Sequence, residues 1–220
     1  MVFSQKQAIS ISKLIVLIAV LMSAWAWPSL PEDARIAIHF DLQGAADGFA
    51  GKTLGLLLMP AIMLGFSTLF SFLPNLEPRK FNLEQSRSSY LGVWYVLLLF
   101  LLYVHLSIVG LALGLLSSAL IGLPQVLSVL FFLLGRQIRS AKSNFFIGVR
   151  TPWTLSSEHA WSQANYHAGS LFMVLGILGV VISFFLGQNA ITWIIYGAIG
   201  IAVFSVVASF FYWKNDPNRQ

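Results

Sequence analysis

The sequence contains no cysteine. That excludes structural disulfides, thiolate metal sites and the dithiol relay used by membrane oxidoreductases. Charge is scarce as well: Asp, Glu, Lys and Arg together make up 10% of the chain against 57% hydrophobic residues, and the mean hydropathy is +0.79. No stretch of domain size is polar, so the formal net charge of +5 has no basic groove to occupy and direct nucleic-acid binding is excluded. The composition is that of an integral membrane protein. The apolar runs also lack acidic and basic side chains away from their ends, and His105 is the one histidine at depth. Ion-coupled transport usually needs buried acidic groups, and intramembrane hydrolysis needs a nucleophile with a base or a metal with several ligands. The chain therefore reads as a non-enzyme with no cofactor. Two alternatives stand beside that reading: a small-molecule, ion or lipid transporter, and a lipid-modifying enzyme at the membrane interface.

What is present in abundance is apolar runs long enough to span. A hydrocarbon core of roughly 30 Å needs about 20 apolar residues per helix. Six runs qualify, at 9–27, 53–73, 91–113, 117–135, 167–186 and 190–212. The first has the basic flank and the Ala24-Trp25-Ala26 exit of a cleavable leader, but its length and its Trp-rich end fit a span better. Lys6 and Lys13, then Arg79, Lys80 and Arg87, then Arg136, Arg139, Lys142 and Arg150, and finally Lys214 and Arg219 fall on alternate connections; Arg35 and Lys52 are the basic residues left on the other side. The expectation is an all-α integral membrane protein with six transmembrane helices and cytoplasmic N and C termini. Trp27 and Trp193 would mark the outer interface, and Trp94, Trp161 and Trp213 the inner one. Connections at 114–116 and 187–189 imply tight helical hairpins. The organisation reads as an N-terminal module (1–74, with an outer loop at 28–52), central helices (75–135) and a C-terminal module (136–220).

Two connections carry polar chemistry. In the outer one, Ile36, Ile38, Phe40 and Leu42 alternate with Ala37, His39, Asp41 and Gln43, the period of a half-buried strand, and Gly44 and Asp47-Gly48 supply turns. His39, Asp41 and Asp47 are candidate ligands for a divalent cation; an imidazole–carboxylate hydrogen bond within a compact loop is the other reading. In the inner one, Pro152 breaks the preceding run, Thr154 or Ser156 can cap a new helix, and Glu158 suits its first turn. Glu158, Trp161 and Asn165 share a helix face that Gly169 continues. Arg150 and an exposed Trp153 sit on a bent arm that either plugs the bundle, with Arg150 paired to Glu158 or lipid phosphate, or presents a partner surface. Within the membrane, His105 and Gln125 each lie eight residues from an outer helix end, about 12 Å deep, and are expected to hydrogen-bond to each other, level with Pro60 and Pro124.

The stretches "HFDLQGAADGFAGK" and "NFFIGVRTPWTLSSEHAW" with "NYHAG" resemble the two modules of the SdpI family. The resemblance implies a multi-pass protein of the bacterial cytoplasmic membrane, with membrane lipid around it, giving immunity to a secreted antimicrobial peptide toxin. It also implies a signalling role in which a small cytoplasmic repressor is sequestered. Outside, it singles out His39, Gly44, Asp47 and Lys52. Inside, it singles out Asn144, Gly148, Arg150, Thr151, Pro152, Trp153, Thr154, Glu158, Trp161 and Gly169. Two departures bear on specificity: Asp41 stands where the family usually has Asn, and His167 stands where a basic pair usually precedes the glycine.

Overall fold

The computed structural model describes residues 5–41, 45–117 and 122–218. Among these, the helices are α1 (Gln5–Ala26), α2 (Lys52–Leu76), α3 (Lys80–Gln85), α4 (Arg87–Ala112), α5 (Leu123–Ser140), α6 (Pro152–Ser156), α7 (Glu158–Leu186) and α8 (Ala190–Lys214); strands β1 (Arg35–Phe40) and β2 (Ala46–Gly51) form an antiparallel hairpin between α1 and α2. Three segments, Gln5–Ser29, Lys52–Leu76 and Arg87–Ala112, are each long and apolar enough to cross a membrane, as is Glu158–Lys214, which contains both α7 and α8. Large apolar side chains such as Leu64, Leu99, Ile177, Phe185 and Val203 point outward from these helices. In lipid such a surface costs nothing, because acyl chains are as apolar as leucine. The chain is a helical membrane protein.

Long helices that alternate in direction bring their ends together in two sets. Gln5 Nε2 on α1 donates to the Ser71 carbonyl near the end of α2 at 3.2 Å, Ser89 on α4 meets Ser140 at the end of α5 at 3.1 Å, and Ser157 before α7 donates to Asp216 after α8. This end also carries α3, α6 and the arm between α5 and α7. The opposite end carries the β-hairpin, where Ile36 packs so closely on Gly55 that a β-carbon at Gly55 would come within 2.5 Å of it. α1, α2 and α4 pack on one another, as do α5, α7 and α8, and α4 joins the groups through α5.

With no hydrophobic effect to drive helix association in lipid, close contact and hydrogen bonds must do it. The α5–α7 seam uses small residues. A β-carbon at Gly135 would lie 2.5 Å from the Gly169 carbonyl, and one at Gly176 would lie 2.6 Å from the Ser128 carbonyl, so these glycines set the helix separation.

The α1–α2–α4 group uses prolines. A proline inside a helix has no N–H for the carbonyl four residues back. Pro60 therefore frees the Leu56 carbonyl, and Ser23 Oγ of α1 donates to it at 2.7 Å. Pro74 frees the Phe70 carbonyl, and Tyr90 of α4 donates its hydroxyl there. Because Ser23 uses its only proton on Leu56, it accepts from His105 Nε2 at 3.1 Å; the same nitrogen lies 3.0 Å from the Ala19 carbonyl, which can only accept. His105, fully buried, thus carries its proton on Nε2 and ties α4 to α1 beside the Leu56 carbonyl that Pro60 frees.

The structure corrects several expectations. His105 does not pair with Gln125. Gly122 adopts φ +76°, so the helix starts at Leu123 rather than at 117, and Gln125 falls on its first turn with Oε1 buried and unbonded among the described residues. Pro124 likewise sits at the start of α5, where a proline frees no carbonyl. Gly114 at φ +69° follows the end of α4. Trp94 and Trp161 are buried at 1% and 2% exposure, so they are packing residues and not interfacial anchors.

The proline clasp predicts a thermodynamic coupling. Ser23→Ala should cost about 1 kcal/mol in the native chain, and much of that cost should vanish in a Pro60→Ala background, where the helix satisfies its own Leu56 carbonyl. A double-mutant cycle of unfolding in detergent checks this; additive effects would show that Ser23 does not serve the proline.

Candidate functional site

At the hairpin end, strict strand alternation fails. Ala37 pairs with Phe49 and His39 with Gly48, which leaves Ile38 without an opposite residue, and the next pair, Phe40 with Ala46, leaves out Asp47. Asp47-Gly48 therefore lies within β2 and not in the turn, and the irregularity brings Asp47 Oδ1 to 2.6 Å from His39 Nδ1. Both side chains are largely solvent-exposed. Asp41 points elsewhere: its carboxylate accepts from the Ala45 N–H at 2.8 Å, rounding the loop. Among the described residues no three His, Asp or Glu side chains gather as metal ligands; His39 and Asp47 form a hydrogen-bonded pair beside the loop cap made by Asp41. Gly44, Leu42 and Gln43 lie outside the described residues.

Lys52, at the start of α2, is 5% exposed; its ammonium meets Glu32 at 2.8 Å and lies 5.0 Å from the centre of the Trp27 ring. It fastens the α1 exit to the hairpin. Glu32 and Trp27 were not predicted as its partners, because nothing in linear spacing joins them to Lys52.

The other end is denser. Asn144 is fully buried, and its side-chain carbonyl accepts from the N–H groups of Phe146 and Ile147, each at 2.8 Å, while its amide donates to the Lys142 carbonyl at 2.7 Å. That bends the chain back to Gly148, where φ is +113° and a β-carbon would collide with Asn165 Oδ1. The same oxygen accepts from the Val149 N–H at 2.7 Å. Trp161, one turn earlier on α7, donates from Nε1 to the Ala141 carbonyl at 2.8 Å. Thr151 caps α6 in a reciprocal pair with Thr154, whose hydroxyl donates to the Val149 carbonyl at 2.8 Å, and Pro152 takes the first helical position, where its missing N–H costs nothing. Ser157, not Thr154 or Ser156, caps α7, and Glu158 opens it.

Trp153 is not exposed in the way expected. Its indole N–H donates to Ser209 on α8 and its ring packs edge-on to Phe210 at 5.6 Å. Arg150 is exposed and donates to the Phe145 carbonyl at 2.6 Å, making no ion pair with Glu158. Asn144, Gly148, Thr151, Thr154 and Trp161 therefore build the arm, and Arg150, Pro152 and Glu158 face outward from it.

Sequence reasoning missed the latch that receives the arm. Glu77 is 1% exposed; one carboxylate oxygen accepts from the Arg79 N–H and the other from the Phe145 N–H, both at 2.9 Å. The Arg79 guanidinium donates to Ser143 and to the Leu155 carbonyl, and it lies 5.3 Å from the centre of the Phe145 ring. Asn82 donates to the Ser143 carbonyl and Ser86 accepts from the Lys142 N–H. The sole local signal was an acid and a base flanking Pro78; their partners lie more than 60 residues away.

Beside the arm, between the end of α5 and the start of α7, is a cavity of about 270 Å³ lined by Arg139, Lys142, Glu158, Trp161, Asn165 and Tyr166. The Arg139 guanidinium covers the Tyr166 ring at 4.2 Å. Cations and a carboxylate around hydrogen-bonding side chains equip it for recognition by charge. Glu158, Trp161 and Asn165 do share this face as their spacing implied.

A helical membrane protein with dense polar architecture at its two ends is thus defined. Residues 140–212 match the SdpI/YfhL protein family, and residues 14–64 match a domain of unknown function, DUF1648. Over 213 residues it is 28% identical to "Immunity protein SdpI" of Bacillus subtilis (strain 168), covering 93% of this chain and 95% of that protein. No solved structure matches it.

Two outcomes are expected. A chelator should leave the melting curve in detergent unchanged, and a fall reversed by divalent metal would restore a cation to the hairpin. Asn165→Ala, which strands the Val149 N–H, should lower unfolding free energy by about 1–3 kcal/mol, whereas Arg150→Ala should change it by less than about 0.5 kcal/mol; equal losses in chemical denaturation would contradict the division of the arm into built and outward residues.

Proposed function

We propose that this chain is an immunity protein of a bacterial cytoplasmic membrane, protecting its cell from a secreted antimicrobial peptide toxin by stoichiometric binding and not by catalysis. The observation that carries the reading is the match over 93% of the chain to a protein named for immunity. In this proposal α1, α2, α4, α5, α7 and α8 are six spans, both termini are cytoplasmic, and the β-hairpin faces the side from which a secreted peptide arrives. The strong asymmetry of basic residues toward the arm end supports that orientation. His39, Asp47 and Lys52 then shape an outer surface, and the arm with its neighbouring cavity shapes an inner one.

A further role as signal transducer, holding a small cytoplasmic repressor at the membrane, fits the inner surface. Arg150 and Glu158 are the exposed charged members of the family signature there, and they suit a partner of mixed charge. Trp153 belongs to the packing on α8 and would act on such a partner only through the fold.

The experiment is protection. A sensitive strain expressing the chain, with membrane abundance verified, is challenged with a panel of secreted membrane-active peptides. Survival is expected to rise against at least one of them; no protection at verified abundance would refute the immunity reading. Where a small repressor is encoded beside this chain, its fluorescent fusion should collect at the membrane in the same cells, and Arg150→Ala should release it without loss of protection. Release by Trp153→Ala should come with reduced abundance.

A further inference from the structure

A second cavity, of about 240 Å³, opens at the arm end between α2, α3 and α4, away from the family signature. It is larger than the ~150 Å³ that admits a benzene ring. Its wall is aromatic: Phe70, Tyr90 and Trp94 form a connected cluster, with Phe70 and Tyr90 stacked at 5.5 Å and Phe70 and Trp94 at 5.9 Å. Its mouth is charged, with Lys80, Glu84 and Arg87. Arg87 is paired to Glu84 at 2.8 Å, whereas the exposed Lys80 ammonium has no partner among the described residues. The net charge at the mouth is therefore positive. Deep in the same wall, Trp94 is 1% exposed, and its indole N–H has no hydrogen-bond acceptor among the described residues.

From the joint placement of a free cation and an aromatic-walled cavity at the basic end of a membrane bundle, we infer that this cavity binds an anionic phospholipid. The phosphate sits on Lys80, and the glycerol and upper acyl region lies against Phe70, Tyr90 and Trp94. The location is that of a headgroup: Trp94 lies two turns into α4 and Lys80 lies just outside the membrane-crossing segments. The clustered basic side chains of this end attract anionic lipid, which supplies the encounter. The binding depends on a membrane setting and not on immunity, so it stands or falls separately from the protective role.

Native mass spectrometry of the full chain released from a neutral detergent tests this, with phosphatidylglycerol, phosphatidylcholine and sn-glycerol 3-phosphate as probes. Phosphatidylglycerol is expected to be retained in preference to phosphatidylcholine. Lys80→Gln should weaken it about fivefold, the worth of one basic residue against an anionic lipid. Lys142→Gln, at the same end but outside this cavity, should not. Equal retention of the two phospholipids, or equal loss in the Lys80 and Lys142 variants, would overturn the site. Binding of sn-glycerol 3-phosphate as tight as that of the phospholipid would show a free-phosphate site and overturn the lipid assignment.

Discussion

Pro60 leaves the Leu56 carbonyl without a helical partner in a region where no water can reach it, and the rest of the N-terminal packing is arranged around that deficit. Ser23 must come close enough to donate, which fixes α1 against α2. Once its proton is committed, Ser23 accepts from His105, which fixes α4. The Ala19 carbonyl then shares the imidazole proton. One unpaired carbonyl is thereby converted into the register of three helices. Pro74 and Tyr90 repeat the device near the other end of α2, so two points along a single helix determine how its neighbours lie. Such bonds average only about 0.6 kcal/mol each in a membrane protein, but they are directional, and direction is what apolar surfaces in lipid lack.

The C-terminal helices solve the same problem without prolines. Gly135, Gly169 and Gly176 let α5 and α7 approach until backbone meets backbone. Between the two solutions lies the latch. Glu77, Arg79, Asn82 and Ser86 all belong to the connection between α2 and α4, and all bond to the arm between α5 and α7. The arm is therefore not a free appendage. It is the element that couples the two helical groups at the basic end, and a partner that displaced Phe145 or Arg150 would act on a segment wired to both. For a protein proposed to report on events across a membrane, that coupling matters as much as the identity of the exposed residues.

Much of this was legible beforehand. The helical membrane class, the apolar runs of α1, α2, α4, α7 and α8, the basic asymmetry, the α7 face of Glu158, Trp161 and Asn165, and a strand in the outer connection all follow from period and composition. The failures share a cause. The His105–Gln125 pairing assumed that α5 begins at 117, and one glycine at positive φ moved the start by two turns. The reading that His39 and Asp41 share a strand face did not foresee the register irregularity that brings Asp47 to His39 and leaves Asp41 to cap the loop. Trp153 was read as exposed because the arm's return onto α8 is set by Ser209, which no local pattern connects to it.

The sequence by itself determined where apolar helices form, which connections are polar and which end is basic, since hydropathy, helical period and charge are local properties that lipid and water sort directly. It also determined that Leu56 and Phe70 would have unpaired carbonyls, because that follows from Pro60 and Pro74 alone. Only the tertiary structure decided which side chains meet those carbonyls, that Glu77 receives the arm, and that Trp94 closes an aromatic cavity beneath Lys80. Those outcomes depend on helix ends and chain reversals that place residues tens of positions apart within 3 Å, and in lipid no gradient of hydrophobicity along the chain encodes which partner is chosen.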